Sequence, residues 1–167
     1  MSDETMCGPI RPIAICVFCH GKRILVGDAD DPLTGELFYR PVGGGIRFGE
    51  RSEVALRREI REELGAEIEN PRLVGVMENL FTFDGKQGHE VVFVYDAEFK
   101  DRSLYELDCF EGRESNGQPF NALWIDVDSI GPDSPPLYPG GLIELLRKMS
   151  NTTANHHGDT EYTEKNI

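Results

Sequence analysis

Apolar residues in this chain come in short runs that are rich in β-branched and aromatic side chains and are separated by polar segments with glycine or proline. Runs of this length and composition are typical of β-strands, and the polar segments between them are typical of turns. Gly21-Lys22 and residues 84–88 are predicted to close two hairpins. The pattern predicts strands at residues 11–19, 23–27, 37–42, 72–83, 89–99 and 121–128.

One segment has the helical period instead. Its apolar residues recur at every fourth position and therefore fall on one face of a helix. Ser52 is a suitable N-cap, and Gly65 is suited to the left-handed residue that follows a helix, so the sequence predicts a helix over residues 52–64. The apolar face of this helix consists of Leu56, Ile60 and Leu64.

The distribution of apolar residues also predicts how the chain is organised. The ends of the chain have little apolar content, which is typical of flexible segments. A second, short amphipathic helix is predicted at residues 141–149. We therefore expect a flexible N-terminus at 1–10, one folded domain at 11–149 and a disordered tail at 150–167, where His156 and His157 would be solvated.

Composition and charge narrow the classes of function. The chain has 167 residues and a formal net charge of -13 at pH 7, and a protein this acidic lacks the basic patch that a nucleic-acid polymer requires. No apolar run approaches the ~18 residues of a membrane span. The opening sequence MSDETMCGPIRP is too acidic and polar for a secretory signal. We expect a cytoplasmic protein that binds neither a nucleic-acid polymer nor a membrane.

Two cysteines and a histidine stand close together in the first predicted strand, as Cys16-Val-Phe-Cys19-His20. This spacing matches the attachment pattern of c-type haem, and paired cysteines also suggest zinc. Positions 16 and 19 of a strand point to opposite faces, however, and no second cysteine pair completes a zinc site. A buried strand is the better interpretation, and a haem or zinc protein is the alternative.

The predicted first helix groups its charges in an unusual way. Glu59, Glu62 and Glu63 occupy one arc beside the apolar face, where like charges repel one another. A hard divalent cation such as Mg²⁺ would offset this repulsion, neutralise phosphate groups and lower the pKa of a bound water. The glycine run 43–45 suits a tight loop whose backbone can approach a phosphate. A solvated charged face is the alternative explanation.

The spacing around these glutamates favours the metal. Counting from Gly44, the sequence has five residues and Glu50, seven residues and Arg58-Glu59-Ile60, one residue and Glu62-Glu63, then one residue and Gly65-Ala66. This arrangement resembles the signature of the Nudix hydrolases, G-x5-E-x7-R-E-U-x-E-E-x-G-U, in which U is a bulky aliphatic residue. Every fixed position matches, and only the final aliphatic position, Ala66, is smaller than usual.

The resemblance covers roughly residues 10–149 and has implications for fold and chemistry. It implies an α/β fold in which an α/β/α sandwich surrounds a mixed β-sheet. It implies a small-molecule substrate, a nucleoside diphosphate linked to another moiety, that is cleaved by attack of water on phosphorus. The implied cofactor is Mg²⁺, with Mn²⁺ as a second candidate, and homodimers are frequent in the family.

The resemblance also implies roles for individual residues. Arg58 corresponds to the arginine that orients a glutamate through a salt bridge, and Glu50 to the glutamate that supports the site or reaches the metal through water. Gly44 and Gly45 correspond to the glycines that allow the loop to fold, and Ile60 to a core anchor. The residues that correspond to metal ligands are Glu59, Glu62 and Glu63.

The general base and the substrate contacts stay open. In this family the base is a glutamate of the motif or a residue on a distant loop. Glu111 and Glu114, on a predicted loop, are candidates for a base or an additional ligand, and the alternative is that both are solvated. Arg40 is either a phosphate-binding residue or a surface charge. Phe81 either stacks on a nucleobase or packs across strands.

Two functions from different classes follow from the motif. The favoured one is an active, divalent-metal-dependent pyrophosphohydrolase of a nucleotide-type substrate. The other is a Nudix-fold sensor that binds a nucleotide derivative without turnover, and the intact motif favours the enzyme. No subfamily mark identifies the substrate, since ADP-ribose enzymes carry a proline where this chain has Phe81.

Overall fold

A computed structural model describes the backbone of residues 8–154 and the side chains of residues 8–148. The predicted helix is present and ends at Leu64 before left-handed Gly65, as expected, but the predicted N-cap was wrong, because Arg51 is the N-cap and Ser52 is the first helical residue. The strands are β1 (Arg11–Cys16), β2 (Cys19–His20), β3 (Arg23–Asp30), β4 (Leu37–Arg40), β5 (Val42–Gly45), β6 (Ile68–Phe83), β7 (Lys86–Phe99), β8 (Cys109–Arg113) and β9 (Pro119–Asp126). The helices are α1 (Ser52–Leu64) and α2 (Leu142–Ala154), with short 3-10 helices at Arg102–Tyr105 and Val127–Ser129.

The strands form two sheets. In the first sheet the order is β5-β1-β7-β6, and β1 runs parallel to β7 while the other neighbours are antiparallel. In the second sheet the order is β2-β3-β9-β8, β4 also pairs with β3, and every pair is antiparallel. The parallel pair makes the first sheet mixed, and the α/β fold class expected from the sequence is confirmed.

Alternating side chains of the central strands build two cores, because successive residues of a strand point to opposite faces. Ala14 and Cys16 of β1 belong to one core with Leu56 and Ile60 of α1. Ile15 of β1 belongs to the other core. The remaining members of that core include Val17, Val92, Val94, Leu142 and Leu146, the last two from α2. The sheets therefore lie between α1 and α2.

The first predicted strand is divided in two. β1 ends at Cys16, and Cys19 instead begins β2, where it pairs with Ile24 of β3. The prediction of one strand over 11–19 was therefore wrong, because a continuous apolar run hides the change of sheet. Cys16 is buried and Cys19 is exposed, and both are free thiols. Burial raises the pKa of the Cys16 thiol well above its usual value, as expected for a cysteine that acts as a small apolar residue.

Several predicted strand bounds were wrong. β3 runs to Asp30 and not to residue 27, the strand predicted at 37–42 is divided into β4 and β5, and β6 begins at Ile68 and not at residue 72.

Other elements differ in kind or length. Strand β8 lies in a segment that was expected to be irregular, and it is an edge strand whose residues are mostly exposed. The β6–β7 hairpin turns at Asp84 and Gly85, both with positive φ, so the loop is shorter than the predicted 84–88. Helix α2 extends to Ala154, beyond the predicted end at residue 149. Its last turn is rich in polar residues, so the apolar period stops before the helix does.

The ends of the chain are only partly covered. Residues 1–7 and 155–167, which include most of the predicted flexible N-terminus and tail and both tail histidines, lie outside the described residues. Residues 150–154, which were predicted to belong to the tail, are helical. Within the described part of the chain, no helix is long and apolar enough to cross a membrane.

Candidate active site

The glycine run before α1 is a strand, not the loop that was expected. Val42–Gly45 forms β5, which pairs antiparallel with β1 and places Gly43 opposite Ile15. Gly43 has a φ of 140°, and an added Cβ would lie 2.2 Å from the carbonyl oxygen of Ala14. Only glycine fits this approach of two backbones. The close pairing fixes β5 directly beneath the glutamate-bearing face of α1.

The next glycine makes room for a carboxylate. An added Cβ at Gly44 would lie 2.7 Å from both the carboxyl carbon and Oε2 of Glu59. The side chain of Glu59 is only 8% exposed, so it has little freedom to move away. Gly44 and Glu59, which lie fifteen positions apart in the signature, are thus in direct contact, and the second glycine is needed for the carboxylate rather than for a turn.

Arg58 organises the glutamates of α1 and the segment before it. Its Nε and one terminal nitrogen donate to the two carboxylate oxygens of Glu50 at 2.9 and 2.8 Å, and that terminal nitrogen also donates to the carbonyl oxygen of Gly45 at 2.9 Å. Its other terminal nitrogen donates to Glu59 at 2.5 Å and to Glu62 at 3.2 Å. A planar guanidinium provides this fork of donors, which a lysine ammonium cannot provide.

Glu50 is held as a carboxylate by the same network. The hydrogen bonds from Arg58, followed by the one from the backbone N–H of Arg47, lower the pKa of Glu50 to about 2. The Arg47 N–H donates to Glu50 Oε2 at 3.1 Å, and the Arg47 guanidinium lies 3.5 Å from Glu62. Glu50 therefore stays ionised near neutral pH and anchors the segment between β5 and α1.

Glu63 has the opposite electrostatic environment. It is 7% exposed, and its Oε2 accepts a hydrogen bond of 3.2 Å from the backbone N–H of Gly43. Burial is the main cause that raises the pKa of Glu63 to about 8, and the nearby charge of Glu114 adds to it, while Arg40 opposes the rise. A buried carboxylate of this kind is stabilised by a nearby cation, and such perturbed groups are frequent at functional sites.

A small cavity adjoins Glu63 and includes two residues from other parts of the chain. Arg40, at the end of β4, forms an ion pair with Glu114, which lies in the turn between β8 and β9. Both residues line the cavity with Glu63 and Phe120. The predicted candidates Arg40 and Glu114 are therefore brought together beside Glu63, at the edge of the glutamate cluster, which consists of Glu59, Glu62 and Glu63.

Two other predicted candidates are not placed at this cavity. Glu111 belongs to β8 and not to a loop, and its carboxylate is exposed and paired with Arg113 at 2.7 Å. Phe81 pairs across the hairpin with Gly88, where an added Cβ would lie 2.3 Å from the phenyl ring. The ring thus covers a glycine of the neighbouring strand. Of the two roles predicted for Phe81, this contact is packing across strands.

No sequence signal identifies Phe120 as a site residue. Its ring lies over two glycines, since an added Cβ would come within 2.3 Å of it at Gly112 and 3.0 Å at Gly27. Phe120 is in β9, and the two glycines are in the neighbouring strands β8 and β3. A phenylalanine in a short strand is ordinary, and only the pairing of three strands identifies it as a wall of the cavity.

The chemistry of the donors suits a hard divalent cation, whereas in this structure their arrangement is an ion-pair network around Arg58. Within residues 8–154, no three His, Cys, Asp or Glu side chains are grouped so that they could hold a metal ion. Glu59 and Glu62 are both turned to Arg58. Carboxylate oxygens are nevertheless the ligands that Mg²⁺ prefers, and buried Glu63 lacks a cation of its own within salt-bridge distance among the described side chains. The residues fit the cation in type and burial.

Comparisons with known proteins agree with this geometry. The model of the NUDIX domain family matches residues 9–144. The solved structure of the MutT NUDIX hydrolase from Burkholderia pseudomallei is 27% identical, with a TM-score of 0.60, and the match covers 83% of this chain and 98% of that one. The NUDIX hydrolase from Nitrosomonas europaea is 16% identical, with a TM-score of 0.62 and coverage of 86% and 90% respectively, and shows a similar fold.

A curated relative matches over a shorter segment. The oxidized purine nucleoside triphosphate hydrolase of Danio rerio is 28% identical over 88 residues, which are 53% of this chain and 49% of that protein. The chain thus spans about half the length of this relative. The family model, in contrast, covers most of the present chain, including β5, α1 and both sheets. The chain belongs to the NUDIX domain family.

Proposed function

We propose that this protein is a divalent-metal-dependent hydrolase that cleaves a pyrophosphate bond in a nucleoside diphosphate linked to another moiety. The observation that carries the proposal is the Arg58 network, which gathers Glu50, Glu59 and Glu62 on one side of α1, next to buried Glu63. Nudix proteins generally act on such nucleotide derivatives with a divalent metal ion. The network supports the same activity here because it concentrates hard oxygen donors at one place.

The metal ligands in this proposal are Glu59, Glu62 and Glu63, with Mg²⁺ as the cation and Mn²⁺ as an alternative. When bound, the cation would neutralise phosphate charge and lower the pKa of a water molecule. Arg58 keeps the carboxylates of Glu59 and Glu62 at the site through its ion pairs. Glu50 fixes Arg58 from the other side and thereby preorganises the ligands.

The substrate contacts are proposed for the cavity side of the cluster. Arg40 has a guanidinium beside Glu63 and Glu114 and is suited to bind a phosphate group. Gly45 allows substrate to approach the backbone of β5, because an added Cβ there would meet nothing within 4 Å, and Gly44 contributes by making room for the Glu59 carboxylate. The relative from Danio rerio acts on oxidized purine nucleoside triphosphates, so this class belongs among the candidate substrates.

A hydrolysis screen tests the activity. The purified protein would be incubated with Mg²⁺ or Mn²⁺ and a panel of nucleoside di- and triphosphates, oxidized purine nucleoside triphosphates, nucleotide sugars, ADP-ribose, NADH, coenzyme A and diadenosine polyphosphates. We expect one class to be hydrolysed well by the wild type, and neither by Glu63→Gln nor by the wild type in EDTA. Saturable binding of a nucleotide without turnover would contradict the proposal and indicate a sensor.

The cellular setting stays a prediction from sequence. We propose a cytoplasmic location and a small-molecule partner, and we keep the homodimer as an expectation for the family. Size-exclusion chromatography coupled to light scattering would measure the mass of the particle in solution against the 18.7 kDa of one chain.

A further inference from the structure

The cavity beside Glu63 joins three parts of the chain that are distant in sequence. Arg40 comes from the end of β4, Glu63 from α1, and Glu114 and Phe120 from the hairpin of β8 and β9. The contact between Arg40 and Glu114 links residues 74 positions apart. Since β8 is an edge strand, this ion pair connects the outer hairpin of the second sheet to the glutamate cluster.

Glu114 is well placed to hold Arg40. Its backbone N–H donates to the carbonyl oxygen of Gln118 at 2.8 Å, and its carbonyl oxygen accepts from Gly117 at 2.7 Å, so the turn fixes the backbone that carries the carboxylate. The side chain of Glu114 is 25% exposed and that of Arg40 is 42% exposed. A long arginine side chain with this exposure would otherwise sample many rotamers, and the ion pair restricts it to one region.

The ion pair leaves Arg40 able to bind a second anion. A guanidinium has five N–H donors, and only the contact of one terminal nitrogen with Glu114 Oε1 occupies it among the described side chains. The remaining donors are available to a phosphate group at the surface next to the cavity, because the Arg40 side chain is 42% exposed, whereas the cavity itself, of about 10 Å³, has room for no more than one water molecule. Arginine is the side chain whose planar fork best matches phosphate oxygens.

We propose that Glu114 is a positioning residue, which holds the Arg40 guanidinium at the cavity beside Glu63 so that Arg40 binds a phosphate of the substrate. The proposal rests on the proposed function for the nature of that substrate. It gives the β8–β9 hairpin control of substrate affinity and assigns Glu114 no part in activating water. The Arg40 guanidinium contacts Oε1 of Glu114, and a general base would instead need a free oxygen within reach of its water, so the kinetic effects of Glu114 variants distinguish the two roles.

Four single variants and the double variant Arg40→Gln/Glu114→Gln test this role. Glu114→Gln removes the charge, Glu114→Asp keeps the charge but shortens its reach, and Arg40→Gln removes the proposed phosphate ligand. Glu111→Gln is the matched control, because Glu111 is in the same hairpin but pairs with Arg113 and does not line the cavity. For each variant, KM and kcat would be measured on the hydrolysed substrate, and calorimetry would measure the affinity for inorganic pyrophosphate with Mg²⁺. Thermal melting would check folding.

We expect Glu114→Gln to raise KM and weaken pyrophosphate binding roughly tenfold while kcat stays within about twofold, because only the orientation of Arg40 is lost. Glu114→Asp should lie between this variant and the wild type, and Glu111→Gln should match the wild type. Arg40→Gln should weaken binding at least as much as Glu114→Gln. Adding Glu114→Gln to Arg40→Gln should have no further effect, since the two residues act as a unit.

Several results would overturn the positioning role. One is a fall in kcat of about 100-fold with unchanged KM, which would identify Glu114 as a base. Another is tighter binding in Glu114→Gln, which would show that the carboxylate competes with phosphate. Pyrophosphate affinities that are equal in the wild type, Glu114→Gln and Glu111→Gln, or absent in all three, would overturn it as well.

Failure of the proposed function would be recognised separately. If no nucleotide is hydrolysed by the wild type, the hydrolase proposal fails, while calorimetry with pyrophosphate still tests Glu114. Selective weakening in Glu114→Gln would then support the positioning role in a protein that binds without turnover.

Discussion

Gly43 and Gly44 are adjacent glycines with different physical tasks. Gly43 is needed for folding, because a Cβ there would lie 2.2 Å from a backbone oxygen that cannot move, and its φ is 140°. Gly44 is needed for the site, because a Cβ there would displace the carboxylate of Glu59. The same added methyl group should therefore affect stability at one position and activity at the next.

We predict that Gly43→Ala lowers the free energy of unfolding by roughly 3 kcal/mol, the cost of overpacking a tight backbone contact. Gly44→Ala should keep most of the stability and lose about 100-fold in activity, because a displacement near 1 Å of a reacting group has effects of that size. Chemical denaturation and steady-state kinetics would measure both. Gly45→Ala is the control for stability, since its Cβ would meet nothing within 4 Å. Equal losses of stability in Gly43→Ala and Gly44→Ala would contradict this division.

The buried carboxylate of Glu63 makes stability depend on pH. Its pKa is raised from 4.5 to about 8 in the folded protein, so between these values the folded state binds more protons than the unfolded state. The stability of the metal-free protein should therefore decrease as pH rises through this range. We predict that Glu63→Gln removes part of this decrease. Denaturation in EDTA at pH 5 to 8 would measure it.

This prediction is tested by comparing how the free energy of unfolding changes with pH in the wild type and in Glu63→Gln. If the wild type and Glu63→Gln lose stability equally between pH 5 and pH 8, the charge of Glu63 is not destabilising and the explanation is wrong. Addition of Mg²⁺ should stabilise the wild type more at pH 8 than at pH 5, because a cation favours the ionised carboxylate.

At the scale of elements, the guanidinium of Arg58 joins helix α1 to the segment before it. Arg58 reaches Glu50, Glu59, Glu62 and the carbonyl oxygen of Gly45. Lysine has three donors around a single nitrogen and cannot span these acceptors. The position of the helix relative to β5, and hence the grouping of its carboxylates, depends on this fork.

We predict that Arg58→Lys, although it keeps the charge, lowers activity at least tenfold and lowers the melting temperature. Arg57→Lys is the matched control on the same helix. Arg57 donates to Glu53 and to the carbonyl oxygen of Ile68, on the side of α1 that faces β6, and its change should leave activity near that of the wild type. Full activity in Arg58→Lys would show that charge alone is sufficient.

At the scale of the whole molecule, α1 could be predicted from sequence because its apolar period and Gly65 are local signals. The N-cap predicted from sequence, Ser52, was wrong. The residue at the N-cap is Arg51, without a side-chain hydrogen bond, and the hydroxyl of Ser52 instead meets that of Tyr95 at 2.7 Å. Tyr95 is in β7, and a contact between elements so far apart in sequence overrides the local capping preference.

One part of the candidate site could be predicted from the sequence, and another part could not. The motif predicted the grouping of the α1 glutamates, because helical spacing alone brings them together. Arg40 pairs with Glu114 and not with Glu111. This pairing depends on which residues of the β8–β9 hairpin turn toward α1. That choice is set by the register of an edge strand, and the polar sequence of β8 gives no periodic signal from which to read it.

The most direct test of water attack on phosphorus at this site is hydrolysis of the best substrate from the screen in water enriched in ¹⁸O. The reaction would be run with the wild type, Glu63→Gln and the helix control Glu53→Gln. Mass spectrometry of the products would locate the label. We expect one ¹⁸O in a phosphoryl group for the wild type and for Glu53→Gln, and almost no product for Glu63→Gln. Label in the other moiety, or equal product from Glu63→Gln, would contradict the proposed attack of water on phosphorus at this glutamate cluster.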